Sequence, residues 1–267
     1  MKKDMTMLIL SCDKFSDLWD GHVKMLERYW PDRDIETMIV TDIPTKKHFP
    51  NIDIIAAGSD GAWTDRLAFA LSLVKTEYVF VTLDDYYLIK NVEDQKISEI
   101  LEMMNTEHVD YVRLYPRPKS AKGEPFSDYQ KIYQIDTSKN YSVNLYSGIW
   151  RADFLQYSVK VPKTIWQFEV TLHKRAEEYG AKCVVSLRDE FKILDVVRKG
   201  KLLHKSALYF KRHPGIYSGT REINTWSYEA KLWIKTMVSR HFPKPLRDKA
   251  KAYMRKRGMH FFSDEAE

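Results

Sequence analysis

The sequence predicts an α/β fold: a mostly parallel central sheet flanked by helices on both faces, followed by a C-terminal helical tail that is basic. Three observations carry this reading. Short apolar runs of strand length alternate with longer stretches of helical periodicity, the order that builds a parallel sheet through helical crossovers. Several of those runs stop at an acidic residue, as buried strands do where they open into loops. The net charge of +6 is unevenly placed: residues 240–257 hold eight Lys or Arg against Asp248 alone, so that segment is +7 and the rest of the chain is near −1.

Residues 7–12 are a continuous apolar run ending at Cys12-Asp13, which reads as a buried strand leading into a loop. Ser16 stands where it can cap the next helix, whose apolar stripe is Leu18, Val23, Leu26 and Tyr29 and which Trp30-Pro31 ends. Glu36–Thr41 is a second strand, with Asp42 at its C-terminal end and a turn at Pro44. A third strand over 52–57 gives way to the flexible loop Gly58-Ser59-Asp60-Gly61 and a helix over 63–74. Tyr78–Leu83 is the most strand-like run in the chain and stops at Asp84-Asp85; a helix over 96–104 and a strand over 111–115 follow. Residues 116–139 are polar and carry Pro116, Pro118, Gly123 and Pro125, which reads as a long loop or irregular hairpin of the kind that serves as a lid. Beyond it come a strand over 143–150, a short helix over 151–157, a helix over 167–179 and a strand over 183–187. After Gly200 the chain turns helical and basic, and no internal repeat is present.

With 267 residues of which 44% are apolar, the chain can fill a sizeable core, which argues against disorder over most of its length. Cys12 and Cys183 are too few for a disulfide scaffold and lack the C-x-x-C spacing of a metal site, so a reducing cytoplasm is the expected setting. The opening MKKDMTMLILSC reads as a first strand and not as a signal sequence, because its apolar stretch is short and flanked by Asp4 and Asp13. No window approaches the roughly 18 apolar residues of a membrane span. Because the basic charge belongs to the tail, the main domain offers no broad face for nucleic acid. In the tail, Trp226, Tyr228, Leu232, Trp233, Met237 and Val238 mix with rising positive charge, as in a basic amphipathic helix at the inner face of an anionic membrane or in a solvated helix packed on the core. Pro243 and Pro245 interrupt it.

In open α/β sheets ligands bind beyond the C-terminal strand ends. Asp13, Asp42 and Asp84-Asp85 each follow an apolar strand, so carboxylates are expected to converge at one edge. Adjacent Asp84 and Asp85 repel unless a counter-charge lies between them, and hard oxygen ligands suit Mg²⁺ or Mn²⁺; the other reading is a solvated turn.

The order of Cys12-Asp13 after the first strand, Trp63-Thr64-Asp65-Arg66 opening a helix, then Leu83-Asp84-Asp85-Tyr86, resembles the nucleotide-sugar-dependent glycosyltransferases of the GT-A, Rossmann-like kind, particularly bacterial polysaccharide-assembling ones, over about residues 5–200. The resemblance implies a catalytic domain over 1–205, with a donor half to about residue 115 and an acceptor half over 116–205, before a helical basic extension over 206–267. It implies that Asp84 and Asp85 hold the cation bridging the donor diphosphate, although the acids here are adjacent and not spaced as D-x-D. Cys12, Asp13 and Asp42, with Trp63 to Arg66, would contact the nucleotide sugar, Asp65 accepting a bond from uracil or ribose and Arg66 pairing with phosphate or with Asp84. As plain chemistry, Asp65 also reads as an acid stabilising a helix N-terminus.

Ser147-Gly148-Ile149-Trp150-Arg151 resembles the acceptor-side strand and turn, with Gly148 allowing close backbone approach and Trp150 offering a stacking face; core packing is the alternative for Trp150. In Trp166-Gln167-Phe168-Glu169, Glu169 matches the general base of inverting members, in a pocket walled by Trp166 and Phe168, the alternative being an acid near a helix N-terminus. Lys201, His204 and His213 are further candidates for phosphate or metal contact, and Lys199-Gly200-Lys201 for a basic turn at the diphosphate. The expected partners are a nucleotide-sugar donor and a glycan or lipid-linked acceptor. Two rivals remain: a nucleotidyltransferase acting on sugar phosphates, whose glycine-rich first loop is missing from Cys12 to Ser16, and a non-catalytic carbohydrate-binding protein, which would lack the strand-end acids.

Overall fold

The computed structural model describes residues 4–117, 122–127, 129–241, 245, 249, 252 and 253. β1 (Met5–Leu10) is buried along its whole length, as an unbroken apolar run is when both sheet faces are covered. A 3-10 turn (Asp13–Leu18) leads into α1 (Trp19–Tyr29), followed by β2 (Glu36–Thr41), β3 (Asp53–Ala56), α2 (Trp63–Leu73), β4 (Tyr78–Leu83), β5 (Tyr86–Leu88), α3 (Asp94–Thr106) and β6 (Tyr111–Arg113). The second half holds β7 (Lys122–Pro125), β8 (Ile132–Ile135), β9 (Gly148–Arg151), α4 (Ala152–Ser158), α5 (Ile165–Tyr179), β10 (Cys183–Ser186), β11 (Ile193–Asp195), β12 (Val197–Arg198), β13 (Lys201–Leu202), α6 (His204–Arg212) and α7 (Trp226–His241).

Among the described residues the main sheet has nine strands in the order β3-β2-β1-β4-β9-β6-β10-β8-β7. β9 and β8 run against the others, which share one direction, so the sheet is mostly parallel as the sequence predicts. Register decides where the functional edge lies. Leu10 pairs with both Val40 and Leu83, which brings Ser11, Thr41-Asp42 and Asp84 to one end of neighbouring strands. β9 is inserted between β4 and β6, with Gly148 opposite Val81 and Arg113. A Cβ on Gly148 would lie 2.8 Å from the Val112 carbonyl oxygen and 3.0 Å from the Tyr111 ring, so no larger residue fits there without displacing β6.

Apolar clusters fill both faces of the sheet, one including Trp19, Phe80, Ile100 and Phe191 and the other Val81, Trp150, Phe154 and Phe168. A third, of Leu18, Met25, Tyr87, Leu194, Val196 and Phe210, lies under the two-stranded pair of β5 and β11. Residue 205 lies within α6, whose Phe210 packs in this third cluster, and the buried Asn224 donates from Nδ2 to the Arg198 carbonyl at 3.1 Å.

Several local readings differ from the structure. Ser16 lies inside the 3-10 turn, and Leu18 stands at the N-terminus of α1 without a side-chain cap. The strand expected over 143–150 forms only at Gly148–Arg151; in the segment before it Val143 and Leu145 pack into a core cluster, and the buried Arg113 donates from Nη1 to the Ser142 carbonyl at 2.6 Å. β7 pairs antiparallel with β8, and the two extend the sheet beyond β10. Most of the basic segment from 242 onward lies outside the described residues. No helix among the described residues is long and apolar enough to cross a membrane.

Candidate functional site

The end of β4 carries Asp84 into a buried position, 6% exposed, where the Ser11 hydroxyl donates to its Oδ2. Ser11 is itself fixed by Trp19, whose Nε1 donates to Ser11 Oγ at 2.7 Å. His22 donates from Nδ1 to the Asp84 carbonyl at 3.2 Å, and burial pushes this histidine down to about 4, so it is neutral and holds the strand end as a plain donor.

Burial raises both Asp84 and Asp85, and Asp85 is raised further by the charges of Asp84 and Asp195. Asp195 arrives from β11, whose register pairs it with Tyr86. Arg198 clamps it, donating from Nε at 2.9 Å and Nη2 at 2.6 Å to the single oxygen Oδ2. Asp85 Oδ1 and Asp195 Oδ1 are each buried without a hydrogen-bond partner. Unsatisfied buried carboxylate oxygens call for a cation or a proton. No three His, Cys, Asp or Glu side chains among the described residues are arranged to hold a metal ion by themselves.

These strand ends open into a cavity of about 980 Å³. It is lined by Ser11, Cys12, Phe15, Trp63, Arg66, Asp84 and Asp85 from the first part of the chain and by Tyr141, Tyr146, Ile165, Trp166 and Glu169 from the second. Arg198, Lys199 and Gly200 line it as well. The turn between β12 and β13 has positive φ at both Lys199 (52°) and Gly200 (76°), a geometry that a lysine adopts only under constraint. Arg221 supplies that constraint. It donates to the Gly200 carbonyl (3.1 Å), the Lys14 carbonyl (2.8 Å) and both oxygens of Asp17 (2.7 and 2.6 Å), and its guanidinium lies over the Phe15 ring. The basic turn and the loop after β1 are thereby tied into one wall.

Glu169 reaches the cavity from the first turns of α5, which Thr164 caps by accepting from Gln167 N. Burial raises its carboxyl above the usual value, against the opposing effects of a bond from the Leu145 N–H and the charge of Arg198. Trp166, 53% exposed, lines the cavity beside it. Phe168 points the other way and packs against Trp63 at 5.4 Å within the core, since residues one position apart on a helix face different sides.

Of the residues singled out from sequence, the structure brings Cys12, Arg66, Asp84, Asp85, Trp166 and Glu169 to this cavity. Asp13, Asp42 and Asp65 brace its edge instead of lining it. The Asp13 N–H donates to Asp42 Oδ1 at 2.7 Å, and although burial opposes it, that bond and those from Asp42's own N–H and the Thr41 hydroxyl hold the Asp42 carboxyl below its usual range. Asp65 accepts from Ala62 N at 2.7 Å as the acid of a helix N-terminus. Gly148, Ile149 and Trp150 do not meet the cavity: Ile149 and Trp150 are fully buried, and Trp150 packs between Tyr111 and Phe154. Central placement of β9 sends these side chains into the two cores. Lys201 bridges Glu222 at 2.6 Å, His204 bonds Glu229 at 2.8 Å, and His213 ends α6 against Tyr209, all away from the cavity. In place of Lys201, the cavity receives Arg198 and Lys199. Arg198 and Asp195 were not legible, since a short pair after a loop has no periodicity to mark it.

No protein-family model matches the chain, and no curated protein matches it in sequence. Solved structures do match it. A fragment of S. aureus TarS, residues 1–349, in complex with UDP-GlcNAc superimposes with a TM-score of 0.51 at 14% identity, over 76% of this chain and 60% of that one. The fold is GT-A-like. The mannosyltransferase PcManGT of Pyrobaculum calidifontis, in complex with GDP-Man and Mn²⁺, gives a TM-score of 0.49 at 12% identity, over 75% of this chain and 59% of that one. A cytidylyltransferase from Leptospira borgpetersenii gives 0.42 at 8% identity, over 81% and 98%. At 14% identity the likeness to the TarS fragment shows the fold alone, and this chain spans about three fifths of that fragment's length.

Proposed function

We propose that this protein is a metal-dependent glycosyltransferase that moves a sugar from a nucleoside diphosphate sugar, of the UDP type, to a hydroxyl of a glycan or lipid-linked acceptor in surface polysaccharide synthesis. The observation that carries the reading is that Asp84 and Asp85 line one cavity together with Glu169, Arg66, Arg198 and Lys199. Acids for a cation, cations for a diphosphate and a raised carboxyl for a proton are the three requirements of sugar transfer, and they face the same space.

Asp84 and Asp85 would hold a divalent Mn²⁺ or Mg²⁺, for which a buried Asp85 Oδ1 without a partner is suited. Bound there, such an ion neutralises charge on the leaving diphosphate. Arg66, Arg198 and Lys199 add their own positive charge to the same oxygens. Glu169 takes the proton of the acceptor hydroxyl as that oxygen bonds the anomeric carbon and the bond from carbon to diphosphate breaks. Attack from the side opposite the leaving group gives inversion. The elevation of Glu169 by burial strengthens it as a base. Trp166 offers the acceptor sugar an exposed aromatic face beside that base.

The test is incubation of the purified protein with a panel of nucleotide sugars and Mn²⁺, following donor hydrolysis and the melting temperature. Stabilisation by a nucleoside diphosphate sugar that requires Mn²⁺ supports the proposal; no stabilisation by any of them refutes it. Stabilisation by a nucleoside triphosphate with a sugar phosphate, releasing pyrophosphate, would identify a nucleotidyltransferase instead.

A further inference from the structure

Outside the cavity, the largest exposed apolar side chains gather on α7. Trp226 is 72% exposed, Trp233 64%, Ile234 54% and Met237 40%. Their spacing of seven, one and three residues places all four within a helical stripe about 100° wide. A helix with such a stripe turned to solvent lacks the partner its sequence was built for.

The root of α7 is fixed to the body. Trp226 stacks on the His204 ring at 3.6 Å, and Glu229 accepts from both His204 N and Nδ1 at 2.8 Å. The Lys199 ammonium lies 5.5 Å from the centre of the Tyr228 ring. The first turn of α7 therefore abuts the basic turn that closes the cavity, and whatever covers the stripe lies beside the cavity mouth. What covers it is indicated by charge. The sequence from 240 to 257 carries a net +7, immediately after two tryptophans suited to a headgroup interface. A protein partner would leave the choice of tryptophan and the block of like charge unexplained together.

We propose that α7 is an interfacial anchor: its stripe of Trp226, Trp233, Ile234 and Met237 enters the headgroup region of an anionic phospholipid bilayer, and the basic segment after it binds the lipid phosphates. The anchor sets the cavity at the membrane surface, where an acceptor carried on a lipid is reached. That consequence rests on the proposed glycosyl transfer; the anchor itself does not.

The experiment is flotation of the purified full chain with vesicles of phosphatidylcholine alone and of equimolar phosphatidylcholine and phosphatidylglycerol, in low and high salt. The anionic vesicles should bind at least about tenfold tighter, and high salt should remove most of that difference. The variant Trp233→Ser/Ile234→Ser/Met237→Ser should lose at least about tenfold in binding to anionic vesicles. Its melting temperature and its nucleotide-dependent stabilisation should be unchanged, since none of these residues lines the cavity. The separate variant Lys251→Glu/Arg255→Glu/Lys256→Glu keeps the test intact if the first fails to fold, and it should abolish the preference for anionic vesicles. Equal binding to both vesicle types, or binding to neither, overturns the proposal. So does a dimer in light scattering that the triple serine variant converts to monomer while vesicles are ignored. Failure of donor binding in the wild-type chain, with anchoring intact, would refute the glycosyltransferase reading alone.

Discussion

Replacing Asp85 with Asn should make the metal-free protein more stable while removing its response to metal. Its Oδ1 is buried and lacks a hydrogen-bond partner, and the charges of Asp84 and Asp195 act on it. Unit charges about 6 Å apart repel by roughly 3 kcal/mol at an effective dielectric near 20. Asn keeps the shape and removes the charge, so a gain of about 1–3 kcal/mol is expected near pH 8 in the presence of a chelator, or about 3–10 °C in melting temperature. The sign with pH follows from the raised carboxyl. The folded state binds this proton more tightly than the unfolded chain, so the stability of the native protein falls as pH rises through the folded value. The advantage of Asp85→Asn is therefore largest at high pH and shrinks as pH falls below the folded value toward the ordinary carboxyl value of 3.8, below which both states are protonated. Differential scanning fluorimetry from pH 5 to 8, with chelator or with Mn²⁺ plus nucleoside diphosphate, reads both effects. A variant that is less stable than the native protein in chelator, or that keeps the full Mn²⁺-dependent shift, would refute the assignment of Asp85 as an uncompensated cation ligand.

Glu169→Gln should bind donor normally and lose turnover by about 10²–10⁴-fold, measured as kcat with saturating donor. Because burial raises Glu169, activity of the native protein should decline on the acid side at a higher pH than an ordinary glutamate gives, and that limb should be absent from the residual rate of the variant. Arg221→Gln should raise the KM for donor about tenfold, the loss of a charge-assisted bond or two, with kcat nearly unchanged; an equal fall in kcat would mean that it acts on the chemistry and not on the wall joining Gly200 to Asp17. Trp150→Ala should cost about 3–5 kcal/mol in urea unfolding, a core cavity, whereas Trp166→Ala should leave stability alone and weaken acceptor binding. The reverse pattern would return Trp150 to the acceptor site.

The sheet was legible because its signal is local. Tyr78–Leu83 and Glu36–Thr41 are recovered to the residue, and β1 to within two residues at each end. The short pairs β5 with β11 and β12 with β13 were not read from sequence, because strands of two or three residues show no alternation. Trp150 shows the limit for side chains. A tryptophan beside a glycine offers a stacking face in any sequence, and only the insertion of β9 between β4 and β6 turns it inward. His204 and His213 were chosen for their chemistry alone, and each is occupied by a neighbour on its own side of the molecule.

The sequence by itself determined the mostly parallel sheet and the acids at its strand ends, since apolar runs and the polar residues that stop them are set within a few residues of chain. Tertiary structure decided which of those acids share a space. Asp84 and Asp85 line one cavity with Glu169 and Arg198, while Asp13, Asp42 and Asp65 turn into backbone bonds outside its lining. Those partners lie some eighty to a hundred or more residues along the chain from the β4 acids, and only the strand order β1-β4-β9 and the return of β11 beside β5 bring them together. Separation of that kind leaves no local pattern to read, because burial and charge depend on what the fold places opposite and not on what precedes a residue in sequence.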